Sequence, residues 1–328
     1  MIRFVTAACF IGACCAGASA VAQTGGAAAT YPSKPVRIVV GFAPGGGADI
    51  VGRIIAQRLT EAFGHSFVVE NRPGASATIA TDYVMRSAPD GYTLLVGVPT
   101  AHSVMPVLSR RLNYDVLRDF APIGMIGTTP LLLAVHPSLP IRSVADLVRV
   151  AKARPGQLTF GAGGIGTPPH MAAELFKQRA GVDMLLVPYQ GEAPAIVDLV
   201  GGQISLIFAN ISAVLQQVRA GKLRGIAVTA LQRVPTAMDF PTVAEAGMPG
   251  FAVESWYGLL TPTGTPAEII AKLNHAVVRA FEPQDVRDRL VTQGIFVQTS
   301  TPEQLAAYMK AEIAKWAQVV KEAGLKMD

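Results

Sequence analysis

Near its start the chain runs directly from a strand pattern through a glycine turn into a helix pattern. The β-branched residues of Val36–Val40 are followed by Pro44 and by three consecutive glycines, Gly45 to Gly47. Apolar residues then recur at helical spacing from Ile50 to Leu59. Because glycine lacks a Cβ and permits positive φ, such a turn lets a ligand approach the backbone closely.

The position of this turn before a helix predicts what it binds. The first N–H groups of a helix have no intrahelical partner, and the positive end of the helix dipole attracts anions. A small carboxylate therefore fits this turn better than a nucleotide phosphate, because the P-loop spacing with its Lys-Ser/Thr pair is missing. A structural alternative stays open: the glycines form a tight turn, and Asp49 caps the helix.

The first residues have the pattern of a secretory leader. Arg3 supplies a positive charge, Phe4 to Ala18 form an apolar stretch, and Ala20-Val21-Ala22 resembles a cleavage site. We predict a signal peptide over residues 1–22, a small-residue linker over 23–31, and a periplasmic location. All three cysteines lie in this leader, so the mature chain is expected to contain no thiol or disulfide. Lipoprotein anchoring at Cys14 is the minor alternative.

Composition excludes several classes of protein. The chain has 328 residues, of which 50% are hydrophobic and 16% charged, and a formal net charge of +5. This length suits two domains, and the mild positive charge without a Lys/Arg run does not predict nucleic-acid binding.

Strand and helix patterns alternate along the chain, which predicts α/β architecture with mostly parallel sheets. A second glycine turn, Gly161 to Gly166, follows the strand pattern at Leu158 to Phe160. Two long apolar segments, Phe120 to Val135 and Val253 to Thr261, are interpreted as crossings between two lobes. The predicted lobes are 32–126 with 258–328, and 127–257. Two helices, 267–281 and 302–323, are expected to finish the chain.

The second glycine turn raises one enzymatic alternative. Gly161 to Gly166 matches the dinucleotide fingerprint G-x-G-x-x-G, which also needs an acid at the end of the next strand. Asp183 has suitable spacing but precedes the strand at Met184 to Val187. Alternatively, the same turn binds an anion, and the Thr167 hydroxyl and His170, in the first helical turn, donate hydrogen bonds to it.

No other arrangement predicts catalysis or metal binding. The five histidines are scattered, and neither H-E-x-x-H nor G-x-S-x-G occurs. We interpret Glu174, Glu192 and Asp198 as ordinary helix acids, and Trp256 and Tyr257 as hinge or core aromatics. The sequence therefore predicts a protein without enzymatic turnover, catalytic residues, metal or cofactor.

Several motifs in one order resemble the Bug proteins, the TctC-like extracytoplasmic receptors of tripartite tricarboxylate transporters. The similarity covers essentially the whole predicted mature chain. The matching segments are Tyr31 to Asp49, Val68 to Ala75, Val187 to Gly191, Leu199 to Ile204, Ala220 to Arg224, Pro241 to Gly247 and Ser255 to Pro266.

This resemblance implies a periplasmic-binding-protein-like clamp with a carboxylated ligand closed between two lobes. Expected partners are the ligand and the membrane subunits of a transporter, or a sensor kinase if the receptor signals instead; a monomer is expected. Carried over by position, the ligand-binding residues are Phe42, Ala43, Gly45, Gly46, Gly47, Asp49, Thr100, Ala101, Gly164, Gly166, Thr167, His170, Tyr189 and Asn210.

The chain departs from the family pattern at a few positions. Asn210 stands where Asp is frequent, Ala48 where Thr or Ser is frequent, and Ser76-Ala77 replace a glycine pair. Because an Asn amide can donate a hydrogen bond, we expect an unsubstituted mono- or dicarboxylate in preference to an ammonium-bearing ligand.

Overall fold

The computed structural model describes residues 30–325. The predicted signal peptide, its three cysteines and most of the linker lie outside these residues. The strands of the described part are β1 Val36–Val40, β2 Phe67–Asn71, β3 Thr93–Gly97, β4 Phe120–Val135, β5 Thr159–Ala162, β6 Leu185–Pro188, β7 Leu206–Asn210, β8 Arg224–Val228, β9 Glu254–Pro262 and β10 Phe296–Val297.

The helices alternate with these strands. They are α1 Gly47–Phe63, α2 Thr78–Met85, α3 Met105–Leu108, α4 Val116–Asp119, α5 Val144–Ala153, α6 Pro168–Ala180, α7 Glu192–Val200, α8 Ile211–Arg219, α9 Ala267–Ala280, α10 Gln284–Thr292 and α11 Pro302–Glu322. A π-helical turn, Thr100–Val104, lies between β3 and α3.

Two parallel groups of strands are joined by two long crossing strands. In the first group β1 pairs in parallel with β2 and β3, and in the second β5 pairs in parallel with β6 and β7. Strand β4 pairs with β9 along its first part and with β7 and β8 along its last part, always antiparallel. The predicted two-lobed α/β architecture with crossing strands is thus confirmed.

Each lobe has its own apolar core, and the last helix contributes to both. Leu305 and Met309 of α11 pack in the cluster that contains Trp256. Trp316 and Val319, further along the same helix, pack in the large cluster of the second lobe. The predicted lobe boundaries remain a prediction, because α11 connects the two cores.

The C-terminal part differs from the sequence prediction. A third helix, α10, lies between the two predicted ones. Its helix pattern is short, and only Val286 and Leu290 are buried. The mostly polar segment therefore lacks the apolar stripe on which the prediction depended. Within residues 30–325, no helix is long and apolar enough to cross a membrane.

Candidate functional site

The first glycine turn connects β1 to α1 and leaves the start of that helix uncapped. Gly45 has φ +90°, and its N–H donates to Asp49 Oδ2 over 2.9 Å. The N-cap residue of α1 is Gly46, and no side chain caps the helix there. The N–H groups at the start of α1 therefore remain available to a ligand, at the carboxyl end of a parallel strand.

Asp49 holds this turn together from inside the protein. Only 3% of the residue is exposed. Its carboxylate accepts hydrogen bonds from Arg53 Nε and Asn71 Nδ2, both at 2.9 Å, besides the one from Gly45. Burial alone would raise the pKa of the Asp49 carboxyl, yet the bonds from Arg53, Gly45 and Asn71 lower it below its usual value. Asp49 thus holds the turn in place, and its negative charge is paired with the positive charge of Arg53.

Tyr257 of β9 places a hydroxyl at the start of α1. A Cβ added to Gly47 would collide with that hydroxyl, so the close approach requires glycine at this position. Burial raises the pKa of the Tyr257 hydroxyl to about 12; the nearby Thr129 hydroxyl opposes this rise, and the charge of Glu192 adds to it. Two residues earlier on β9, Ser255 Oγ donates to Asn210 of the second lobe, so this part of β9 contacts both lobes.

A strained loop supports the first turn from behind. Ala75, Ser76 and Ala77 all have φ between +45° and +69°, a left-handed region that disfavours residues with a Cβ. Ala77 packs against Gly41, where an added Cβ would collide with it. The strained loop thus packs directly against Gly41, the residue before Phe42.

The second glycine turn connects β5 to α6 and is fixed by its own side chains. Gly164 and Gly166 have φ of +140° and +77°. The Thr167 hydroxyl donates to the Gly164 carbonyl over 2.7 Å, and the Gly166 N–H donates to His170 Nδ1 over 3.2 Å. The Thr167 hydroxyl and His170 Nδ1 thus both hold the turn, and donation from these two residues to a bound anion stays a prediction.

His170 is a neutral acceptor in this arrangement. Its ring is 2% exposed and stacks near Phe160. Burial and the charge of Lys177 lower the pKa of the His170 imidazole to about 4. The ring is therefore uncharged at neutral pH and cannot supply a positive charge to a ligand.

The wall of the second lobe is formed where α7 and α8 begin. Gly163 packs so closely on Gly191 and Glu192 that an added Cβ would collide with their backbone. Asn210, the N-cap of α8, donates from Nδ2 to Glu192 Oε1 over 2.6 Å and accepts at Oδ1 from Ser255 Oγ over 2.9 Å. The Asn210 oxygen and one of its two amide N–H groups are thus engaged within the protein, and the second N–H remains as the donor expected for a ligand.

The crossing strands form the floor between these walls. Ser255 and Tyr257 are two residues apart on β9 and share one face of that strand. Thr129 of β4 lies opposite Ser255, and its buried Oγ1 makes no hydrogen bond within the described residues. Ser255 contacts the second lobe through Asn210, whereas Tyr257 contacts the first lobe at Gly47.

The remaining predicted residues have different surroundings. Ala43, Gly45 and Gly46 are exposed, and Phe42 is half-buried. Thr100 and Ala101 are almost fully buried, and the Ala101 carbonyl accepts from the Tyr114 hydroxyl over 3.0 Å.

Tyr189 is half-buried beside Gly161, and its hydroxyl donates to Asp198 over 2.7 Å. Burial raises the pKa of that hydroxyl to about 12, and the hydrogen bond to Asp198 adds to the rise. The Tyr189 hydroxyl is thus directed to α7.

Sequence reasoning missed four residues of this region: Thr129, Glu192, Ser255 and Tyr257. Glu192 was interpreted as an ordinary helix acid, but its half-buried carboxylate bonds to the start of another helix. Its position directly after Gly191, at the end of a strand pattern, was the available signal. Tyr257 gave no comparable signal, because its role depends on the distance between two strands and a turn.

The dinucleotide alternative is not supported by the position of Asp183. The Gly156 N–H donates to the Asp183 carbonyl, and Asp183 precedes β6. This acid therefore lies at the amino end of the strand, opposite the glycine turn. Among the described residues, no group of His, Cys, Asp and Glu is arranged to hold a metal ion.

Comparisons with known proteins agree with this geometry. The sequence profile described as "Tripartite tricarboxylate transporter family receptor" matches residues 51–325. Protein BugT of Bordetella pertussis is 37% identical over 299 residues, which is 91% of this chain and 92% of that protein.

Solved structures are similar over nearly the whole chain as well. An R. palustris protein with adipate is 39% identical with a TM-score of 0.82, covering 90% of this chain and 99% of that one. MatC from Rhodopseudomonas palustris with bound malate is 35% identical with a TM-score of 0.77, covering 88% and 100%. The periplasmic binding protein BugD is 34% identical with a TM-score of 0.78, covering 91% and 100%.

Proposed function

This chain belongs to the tripartite tricarboxylate transporter family of receptors, and from that premise we propose that it captures a small organic carboxylate between its lobes and presents it to a membrane transporter. The observation that carries this proposal is the uncapped start of α1, where the Tyr257 hydroxyl lies beside Gly47. The adipate and malate complexes of similar proteins support a dicarboxylate as the ligand.

The physical basis of capture is the cost of burying a charge. A carboxylate removed from water must be hydrogen-bonded on all sides, and charge-assisted hydrogen bonds from backbone N–H groups meet that need. Closure of two lobes about the ligand is an established motion of such proteins. Selectivity then arises because only a carboxylate of suitable length reaches both walls.

We assign two roles to the predicted site residues. Backbone and side-chain contacts are proposed for one set, and positioning of the turns for Asp49 and His170. The proposed contact residues are Phe42, Ala43, Gly45, Gly46, Gly47, Thr100, Ala101, Gly164, Gly166, Thr167, Tyr189 and Asn210.

The proposal includes a location and a partner. We expect export to the periplasm through the predicted signal peptide and recognition of the closed form by the membrane subunits of a transporter. Capture and release require no bond to be broken, so no turnover of the ligand is expected.

A thermal-shift screen of the refolded, ligand-free protein against mono- and dicarboxylates tests the proposal. A ligand at about one hundred times its dissociation constant stabilises the folded state by about 2.7 kcal/mol, which gives a clear increase in melting temperature. Adipate and malate are the first compounds to test. If NADH raised the melting temperature and no carboxylate did, the receptor function would be wrong.

A further inference from the structure

The carboxylate of Glu192 is the unusual group of the candidate site. It belongs to the first residue of α7 and accepts a hydrogen bond at Oε1 from Asn210 Nδ2. Asn210 also accepts from Ser255 Oγ on β9, two residues before Tyr257, whose hydroxyl lies at the start of α1. The side chain is therefore positioned where a ligand held by the first-lobe turn would meet the second lobe.

The half-buried Glu192 has no Lys or Arg partner, whereas each fully buried acid of the described residues has one. Asp49 pairs with Arg53 at 2.9 Å, Glu174 pairs with Lys177 at 3.0 Å, and Glu312 pairs with Lys315. No ion pair within residues 30–325 includes Glu192, and the neutral Asn210 is the residue that donates to its carboxylate there. A shielded carboxylate without a cation is unfavourable unless a proton or a ligand neutralises it.

The elements around Glu192 supply no compensating charge. Strands β5 and β7, which pack against α7, carry no titratable side chain. The one charged residue of α8 is Arg219, in its last turn, where it bonds to the Thr236 carbonyl. Strand β9 contributes Tyr257 and Glu254, an acid that accepts from the Thr128 hydroxyl, and α7 itself carries Asp198, which accepts from Tyr189. On α6, the neutral His170 bonds to Gly166.

We propose that Glu192 is protonated in the liganded protein and donates a hydrogen bond from Oε2 to one carboxylate of a dicarboxylate ligand. The other ligand carboxylate would occupy the N–H groups at the start of α1. One proton from solvent is then taken up with each ligand, and no bond other than the O–H of Glu192 is formed. This inference rests on the proposed function, since it assumes a carboxylate in that site.

The unliganded protein is already prepared for this protonation. Burial raises the pKa of the Glu192 carboxyl to about 7, and the hydrogen bonds from Asn210 reduce this rise. A ligand carboxylate beside it raises the pKa further, because two like charges in contact disfavour ionisation of both. An O–H···O⁻ hydrogen bond between two such groups is short and strong. An ionised Glu192 would instead repel the ligand.

Isothermal titration of the purified protein with adipate at pH 6.5 and pH 8.5 tests this proposal. The carboxyl groups of adipate are ionised throughout this range, so a change in affinity reports on the protein. A site acid with a pKa of about 7 is mostly ionised at pH 8.5, so we expect adipate to bind about 20-fold more weakly there. Titrations in buffers of different ionisation enthalpy should show an uptake of about one proton per ligand at pH 8.5.

Glu192→Gln is the decisive variant. The amide keeps the acceptor for Asn210 and has a permanent donor for the ligand, so adipate should bind with nearly the same affinity at both pH values. Glu282→Gln, which changes an exposed acid between α9 and α10, is the matched control and should keep the pH dependence of the wild type. Hexanoate, which lacks the second carboxylate, should bind without proton uptake.

Each other outcome contradicts a specific part of the inference. Tight, pH-independent binding of adipate by the wild type, or binding that strengthens with pH, would exclude the proton on Glu192 while leaving the receptor function intact. A loss of adipate binding in Glu192→Gln at both pH values would show that the carboxylate is needed as an acceptor. If no carboxylate bound at any pH, the proposed function itself would be wrong.

Discussion

The two lobes of the candidate site hold their acids in opposite ways. In the first lobe, the buried Asp49 bonds to the exposed Arg53 and to Asn71 and keeps its charge at neutral pH. In the second lobe, Glu192 bonds to a neutral amide and has no cation within the described residues. The first arrangement produces a fixed set of donors, whereas the second leaves a group whose charge changes near neutral pH.

This contrast explains how one site can both bind and release an anion. The first turn gives an affinity that is insensitive to pH, because its Asp49 carboxylate stays ionised and paired with Arg53 between pH 5 and 9. Glu192 in the second lobe makes the binding energy depend on pH, because its carboxyl must take up a proton when the ligand binds. The following predictions test the two halves of this comparison separately.

The largest effect is expected for Gly47→Ala in the first turn. The added Cβ would collide with the Tyr257 hydroxyl and displace the start of α1. We expect adipate affinity to fall by more than 100-fold, corresponding to about 3 kcal/mol. Titration calorimetry measures this loss directly.

Gly46→Ala is the matched control for that change. The nearest atom to a Cβ on Gly46 is the Ala43 carbonyl oxygen at 3.9 Å, and Gly46 has a φ of −81°. Because this variant lacks the collision with Tyr257, it should reduce adipate affinity by no more than about tenfold, well short of the loss in Gly47→Ala. Equal losses in the two variants would show that the turn tolerates no side chain anywhere, and the specific contact with Tyr257 would lose its significance.

A smaller effect is expected when the paired acid of the first turn is neutralised. Asp49→Asn leaves Arg53 without its partner and weakens the bonds from Gly45 and Asn71. Removal of hydrogen bonds to a buried charged group should reduce the free energy of unfolding by about 2 to 3 kcal/mol at pH 7. Urea unfolding measures this value.

The pH dependence of the Asp49 variant gives an independent check. Because the pKa of the folded Asp49 carboxyl is lowered, its contribution is present above the pKa of about 3.9 in the unfolded chain and is lost as the pH falls through the folded value. The difference between wild type and Asp49→Asn should therefore shrink below pH 4. A constant difference down to pH 2.5 would exclude the charge of Asp49 as the source of its stability.

In the second turn the corresponding prediction concerns His170. The pKa of its imidazole is about 4 in the folded chain and about 6.5 when unfolded, so the unfolded state binds the proton first as the pH falls. Stability is therefore complete above pH 6.5 and is lost between pH 6.5 and 4. The loss from His170 should be about 2 kcal/mol at pH 5.

His102 provides the internal comparison for this titration. Burial lowers the pKa of the His102 imidazole to about 4 as well, so the wild type should lose stability through two groups in the same window. His170→Gln should remove about half of the decrease between pH 7.5 and pH 5 in urea unfolding. An unchanged decrease would mean that His170 is protonated in the folded protein.

The strand, glycine turn and helix that form this site were predicted well, because each is defined by residues that are neighbours in the sequence. Strand, glycine turn and helix follow one another within 28 residues, from Val36 to Phe63, so periodicity and backbone chemistry define them. The crossing strand β4 was also predictable, from a long apolar segment that Gly124, Gly127 and Pro130 interrupt. Local pattern was sufficient wherever each element is defined by its own residues.

The chemistry of the walls was not predictable in this way. Glu192 and Asn210 are 18 residues apart, and Ser255 is a further 45 residues away, yet their side chains form one hydrogen-bonded chain. Spacing along the sequence contains no signal for such contacts, since they depend on how two helix starts and a crossing strand meet. His170 was found by its position, but the hydrogen bond that it accepts from Gly166 was not predicted, because the tautomer and burial of a ring are tertiary properties.

The smallest effect is expected behind the first turn, where the two lobes again differ. The second turn meets its positive φ angles with glycines, whereas the first is supported by Ala75, Ser76 and Ala77 in left-handed conformations. Ala75→Gly, at an exposed position with φ +45°, should therefore increase the free energy of unfolding by about 0.5 to 1 kcal/mol. Ala317→Gly, an exposed residue inside α11, should decrease it by about 1 kcal/mol. Opposite signs in urea unfolding would establish stored strain in the first lobe, whereas a decrease in both variants would show that the loop is relaxed.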